Sequence, residues 1–153
     1  MNRRTLLKRT LAVSAVGVAA SAGLLAPGQV LAAYPKAAFE ATDAGAALSG
    51  AMGSGSYADS GDIKIKAPDI AENGSVVPVT ISTGMSDVES IGLLVESNNS
   101  PLVGTFNLNG SQGFVSTRIK MGKTGNVVAV VKAGGKLYGA KKEVKVTIGG
   151  CGG

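Results

Sequence analysis

Asp62-Ile63-Lys64-Ile65-Lys66-Ala67 alternates isoleucine with charged side chains at a period of two, the pattern of a strand with one face buried and the other in water. Residues 76–82, 91–96, 101–108, 114–121, 126–133 and 136–148 continue it as runs rich in Val, Ile and Thr. Glu72-Asn73-Gly74 supplies a turn, and Gly134-Gly135 sits between the last two runs as a tight hairpin. About seven short strands with turns between them and no alternating helices predict an all-β, immunoglobulin-like antiparallel β-sandwich over residues 57–148, with a closed barrel as the other way to close the sheet. No internal repeat is visible.

Upstream, residues 36–52 are mostly Ala, with Phe39, Leu48 and Met52 as the larger apolar side chains, a composition that favours helix. Gly53-Ser54-Gly55-Ser56 follows as a linker, so residues 33–56 read as an N-terminal helix set off from the sandwich.

The first 32 residues do not read as a domain. Arg3, Arg4, Lys8 and Arg9 precede an uncharged apolar run, residues 11–25, and Val30-Leu31-Ala32 has the small-residue form that a signal peptidase accepts. The 15-residue run is too short to span a bilayer, so the segment is expected to be a signal peptide cleaved after Ala32, leaving no permanent membrane anchor. Asn2-Arg3-Arg4-Thr5-Leu6-Leu7-Lys8 resembles the twin-arginine export motif, carried by Arg3 and Arg4, which implies export of an already folded protein to the periplasm.

Losing the leader changes the charge. The whole chain has 15 Lys and Arg against 10 Asp and Glu, but four of the cations belong to the leader, and the remainder is nearly neutral. The basicity that suggests nucleic acid is therefore a targeting device, and no nucleic-acid partner is expected. What remains is uneven: residues 118–153 carry eight basic groups and one acidic. That bias reads equally as a solvated strand face or as attraction for anions or an acidic partner. A mature chain of about 120 residues supports one core.

With no histidine, Ser-His-Asp and Cys-His arrangements and histidine metal sites are excluded. One cysteine cannot build a thiolate zinc site or an iron–sulfur cluster, and the glycine-rich stretches lack the Lys-Ser or Lys-Thr of a phosphate cradle. No metal and no cofactor are expected. Asp87 and Glu89 read as solvated surface carboxylates rather than an acid–base pair. Nothing assembles an enzyme active site.

Gly149-Gly150-Cys151-Gly152-Gly153 ends the chain, and it flanks the only thiol with residues that have no side chain. Glycine has the widest backbone freedom of any residue, so a mobile arm is expected, spanning about 17 Å when extended. Its narrow cross-section suits entry into a partner's cleft. An exposed thiol has an ordinary pKa of about 8.5, leaving a few per cent as thiolate at neutral pH, a fraction that cationic Lys141, Lys142 and Lys145 upstream would raise. A lone exported cysteine is free, modified or joined to another molecule.

The terminal Gly-Gly-Cys-Gly-Gly, the run Lys141-Lys142-Glu143-Val144-Lys145-Val146-Thr147-Ile148, Ile70-Ala71-Glu72-Asn73-Gly74 followed by Val77-Pro78-Val79, and Val115-Ser116-Thr117-Arg118-Ile119-Lys120-Met121 together resemble the SoxY family of bacterial sulfur-oxidising systems. The resemblance implies a carrier rather than an enzyme, acting in thiosulfate oxidation. It implies Cys151 as the covalent sulfur attachment site, with Gly149, Gly150, Gly152 and Gly153 as its swinging arm. It implies a heterodimer with a SoxZ-like subunit. A SoxAX-like cytochrome, a SoxB-like hydrolase that releases sulfate, and a sulfane dehydrogenase or another sulfur-accepting route are the implied processing partners. Rival readings of the cysteine are a disulfide cross-link between chains, a lipid anchor and a terminal Gly-Gly thiocarboxylate. The lipid anchor lacks the C-a-a-X spacing, and the thiocarboxylate needs cytoplasmic adenylation that the leader argues against.

Overall fold

The structure is a computed structural model and describes residues 35–147. Two helices, α1 (Lys36–Glu40) and α2 (Ala44–Met52), precede nine strands. These are β1 (Ala58–Asp59), β2 (Ile63–Lys66), β3 (Ile70–Ala71), β4 (Val77–Thr83), β5 (Val88–Val95), β6 (Leu102–Asn107), β7 (Phe114–Ile119), β8 (Gly125–Ala133) and β9 (Lys136–Val146). Seven are four residues or longer, and they coincide with the seven runs of strand periodicity to within three residues at each end.

The strands form two sheets. One has the order β1-β9-β8-β5-β6, with β3 also on β9; the other is β2-β4-β7. Taking the seven long strands in chain order as A, B, C, C′, E, F and G, the sheets are A-B-E and G-F-C-C′, the division of an immunoglobulin-like sandwich. The closed barrel is excluded by this separation. The pairing is not wholly antiparallel, because β1 and β3 both run parallel to β9.

Alternation buries one face of each sheet between the layers. Ile63, Val77, Val79, Ile81, Val115 and Ile119 from the small sheet meet Ile91, Leu93, Val95, Val127, Ala129, Val131 and Val144 from the large one. Burying a side chain of this size is worth about 1.5–3 kcal/mol, so this β-branched layer carries most of the stability.

The large sheet is covered on its other face too. Ala47, Leu48 and Met52 of α2 and Ala38 of α1 pack on Leu94, Leu102, Val128 and Val130. Ile91–Val95 and Val127–Val131 are accordingly buried without a break, which explains why these runs do not alternate. The single helix expected over 36–52 is two helices. Asp43 breaks it: its backbone is extended, and its carboxylate caps α2 by accepting from the Ala46 N–H at 2.9 Å. Gly53 ends α2 in the left-handed region at φ 88°. The glycine-serine stretch that follows is thus a short return, and α2 lies on the sheet instead of apart from it.

The β8–β9 hairpin turns at Gly134 and Gly135, with φ of 56° and 75°. Both central residues are left-handed, the type I′ geometry that a glycine pair adopts without strain.

Candidate functional site

Arg3 and Arg4 of the expected export motif, and Gly149, Gly150, Cys151, Gly152 and Gly153 of the expected arm, lie outside the described residues. The structure does define the chain up to Thr147, four positions before Cys151 and the root of the expected arm. That root is held from two sides.

On one side β3 pairs with the end of β9. The Lys145 N–H donates to the Asp69 carbonyl at 2.9 Å, and the Thr147 N–H to the Ala71 carbonyl at 3.2 Å. On the other side stands Thr124, whose Oγ1 accepts from the Val146 N–H at 2.8 Å, while its hydroxyl lies 3.5 Å from the Val146 carbonyl as donor. The loop carrying Thr124 is braced in turn by Asn98, whose Nδ2 donates to the Lys120 carbonyl at 2.7 Å and whose Oδ1 accepts from the Gly122 N–H at 3.0 Å. Ser97 adds a bond from its hydroxyl to the Lys123 carbonyl at 3.1 Å.

Gly74 closes the arrangement from beneath. Its carbonyl accepts from the Met121 N–H at 2.7 Å. A Cβ built on it would lie 2.9 Å from Val146 Cγ1 and closer still to the Met121 carbonyl oxygen, so only glycine fits. The turn expected at Glu72-Asn73-Gly74 is present one residue further on, where the Val76 N–H reaches the Asn73 carbonyl at 3.3 Å and Asn73 Oδ1 accepts from the Ser75 N–H at 2.9 Å. The sequence marks none of Thr124, Asn98 or Gly74 as a support of the arm. Asn73-Gly74 is a readable turn signal, but what it packs under is not.

Of the lysines expected to favour the thiolate, two are already committed. Lys141 Nζ lies 2.6 Å from Glu96 Oε1, and Lys142 Nζ lies 3.0 Å from Asp69 Oδ1. Lys145 makes no ion pair among the described residues, and it stands two positions before Thr147. Glu89 is committed as well: it accepts from the Gly135 N–H at 3.1 Å and faces Lys132 at 3.7 Å. It therefore fastens the hairpin, while Asp87 sits in the turn before β5 with φ 56°. Both line an open cleft of about 1040 Å³ with Asn107, Asn109 and Lys132. This cleft is at the far end of the sandwich from Thr147, since Val88 pairs with Ala133 whereas Val144 pairs with Gly125.

A sandwich that fastens its last strand on two sides and sends the chain onward from that point to its only cysteine has the layout of a carrier domain. A family model described as sulfur oxidation protein SoxY matches residues 48–151, from the middle of α2 to Cys151. Among solved structures, the sulfur carrier protein SoxY from Chlorobium limicola f thiosulfatophilum is 49% identical, with a TM-score of 0.55, covering 61% of this chain and 88% of that one. An engineered protein is 19% identical with a TM-score of 0.41, covering 56% of this chain and 20% of its own, and carries no weight. No curated protein matches the chain. The chain belongs to the SoxY family of sulfur carrier proteins.

Proposed function

We propose that the mature chain is the periplasmic sulfur carrier of a thiosulfate-oxidation cycle, holding its intermediates covalently on Cys151. The observation that supports this most is the reach of the family match, which extends to Cys151 itself.

Loading joins the Cys151 thiolate to the outer sulfur of thiosulfate, forming Cys–S–S–SO₃⁻ and releasing two electrons to a SoxAX-like cytochrome. Water then cleaves the terminal sulfonate in a SoxB-like hydrolase, giving sulfate, a proton and the persulfide Cys–S–SH. A sulfane dehydrogenase or another sulfur acceptor clears the persulfide. The carrier supplies the thiolate and its presentation, and each bond is made or broken in another protein. Glycines 149, 150, 152 and 153 keep the arm slender enough to thread, and a SoxZ-like subunit completes a heterodimer. Arg3 and Arg4 direct export by the twin-arginine route, and cleavage follows Ala32.

The test is the intact mass of the purified carrier after exposure to thiosulfate and the oxidising cytochrome. The parent gains the thiosulfonate adduct, Cys151→Ser gains nothing, and both melt at the same temperature. An adduct on the serine variant, or a fall of many degrees in its melting temperature, would overturn the assignment.

A further inference from the structure

Ion pairing among the described residues does not reach the small sheet, although Lys136 and Lys145 of the large sheet are unpaired as well. All four ion pairs among the described residues belong to α1 or the large sheet: Lys36–Glu40, Lys132–Glu89, Lys141–Glu96 and Lys142–Asp69. The strands of the small sheet, β2, β4 and β7, contain no acidic residue. Their register places Lys66 opposite Thr80, Lys64 opposite Ser82, Arg118 opposite Pro78 and Phe114 opposite Ser82. Strand alternation puts all of these on the outer face, with Val76 and Lys120 continuing it at one end. Lys64, Lys66, Arg118 and Lys120 are exposed and make no ion pair among the described residues. Among them stand Phe114 and Val76, 55% and 49% exposed, and the exposed Pro78.

We propose that this outer face is a transient docking site for an acidic surface on the enzymes that process the carried sulfur. The inference rests on the carrier reading above and adds where the partner sits. Four such cations around exposed apolar side chains, with no carboxylate among the strands, complement an acidic patch with an apolar centre. The footprint is small, about 20 Å by 15 Å from strand rise and spacing, well below the about 800 Å² per partner of a stable interface. Weak, steered, quickly reversible contact is what a carrier visiting several enzymes in turn requires. The position is also right: Val76 and Lys120 adjoin the Gly74–Met121 hydrogen bond, directly under Val146 at the root of the arm. A partner seated on this face has its edge beside the point from which Cys151 departs.

The test uses the mature chain with its co-purifying subunit and the cytochrome that loads thiosulfate, with carrier concentration and salt varied. The triple variant K64E/K66E/R118E is expected to raise KM for the carrier at least about tenfold and flatten the salt dependence of kcat/KM, leaving kcat unchanged. The neutral variant K64Q/K66Q/R118Q should fall between it and the parent. K36E/K136E, exposed on α1 and at the β8–β9 hairpin and so away from this face, should leave KM unchanged. Alkylation of Cys151 by iodoacetamide should proceed at the parent rate in every variant. Amide shifts on adding the cytochrome should concentrate on β2, β4 and β7. A loaded parent whose triple variant keeps the same KM and salt slope overturns the docking face alone. So does finding the face already covered by the subunit or by a second copy. A parent that takes up no thiosulfate on Cys151 overturns the carrier reading and this inference with it.

Discussion

Glu96 shows how single side chains tie the last strand into the sandwich. Hydrogen bonds from Lys141 and then from Asn126 hold its carboxyl below the ordinary carboxylate range, against a smaller opposing effect of burial. Lys141 is raised in return, chiefly by its bond to Glu96. A depressed carboxylate contributes stability above its unfolded value and loses it as pH falls through the folded one. A raised lysine contributes below its unfolded value and loses it as pH rises through the folded one. The pair thus acts fully between the ordinary values of 4.5 and 10.5. Being largely solvated, it is worth about 0.5 kcal/mol. Glu96→Gln should lower the denaturant midpoint slightly at neutral pH, with the difference from the parent vanishing in acid. Gly74→Ala is a harsher change, because the methyl collides with backbone and with Val146. It should cost about 1–3 kcal/mol by thermal unfolding and speed amide exchange at Val146 and Thr147.

At the scale of elements, Asp43 marks where one expected helix divides into two. Asp43→Ala removes the carboxylate that caps α2 and should cost about 1 kcal/mol, measured by urea denaturation. An alanine-rich composition does not reveal this break, because propensity averages over residues whereas a cap is one residue's geometry. The seven long strands were legible because each shows alternation or β-branched enrichment over four or more residues. β1 and β3 were not: two residues have no period, and their pairing depends on a free edge of β9 that only the assembled sheet provides. The run Val127-Val128-Ala129-Val130-Val131 has no polar position at all, so it lacks the alternation of a strand with one wet face. Such a run belongs to a strand covered on both faces, and it points to the docked helix more clearly than the helix sequence does.

For the molecule as a whole, the helices close the outer face of the large sheet. A chain beginning at Gly53 should keep its β-sheet circular dichroism, since the inter-sheet core is separate, yet expose Leu94, Leu102, Val128 and Val130. It should bind a hydrophobic dye and self-associate, as chromatography with light scattering would show; a monodisperse monomer would contradict this. The proposed chemistry rests on one cysteine among glycines, which is visible in the sequence and lies outside the described residues. The supports of its root are not legible in the sequence, because Thr124, Asn98 and Gly74 come from three loops that meet only in the fold.

The parallel seam between β3 and β9 also has a mechanical meaning. On the proposed function, a partner that grips Cys151 loads the fold at the end of β9, and the sheet bears whatever part of that pull lies along the strand. Its ladder bonds to β3 on one side and β8 on the other lie across that pull, so they share the load in shear and must yield together. Peeling, in which bonds yield one at a time, is resisted where Thr147 is tied to Ala71 and Val146 to Thr124. The end of β9 is anchored to resist traction along the strand.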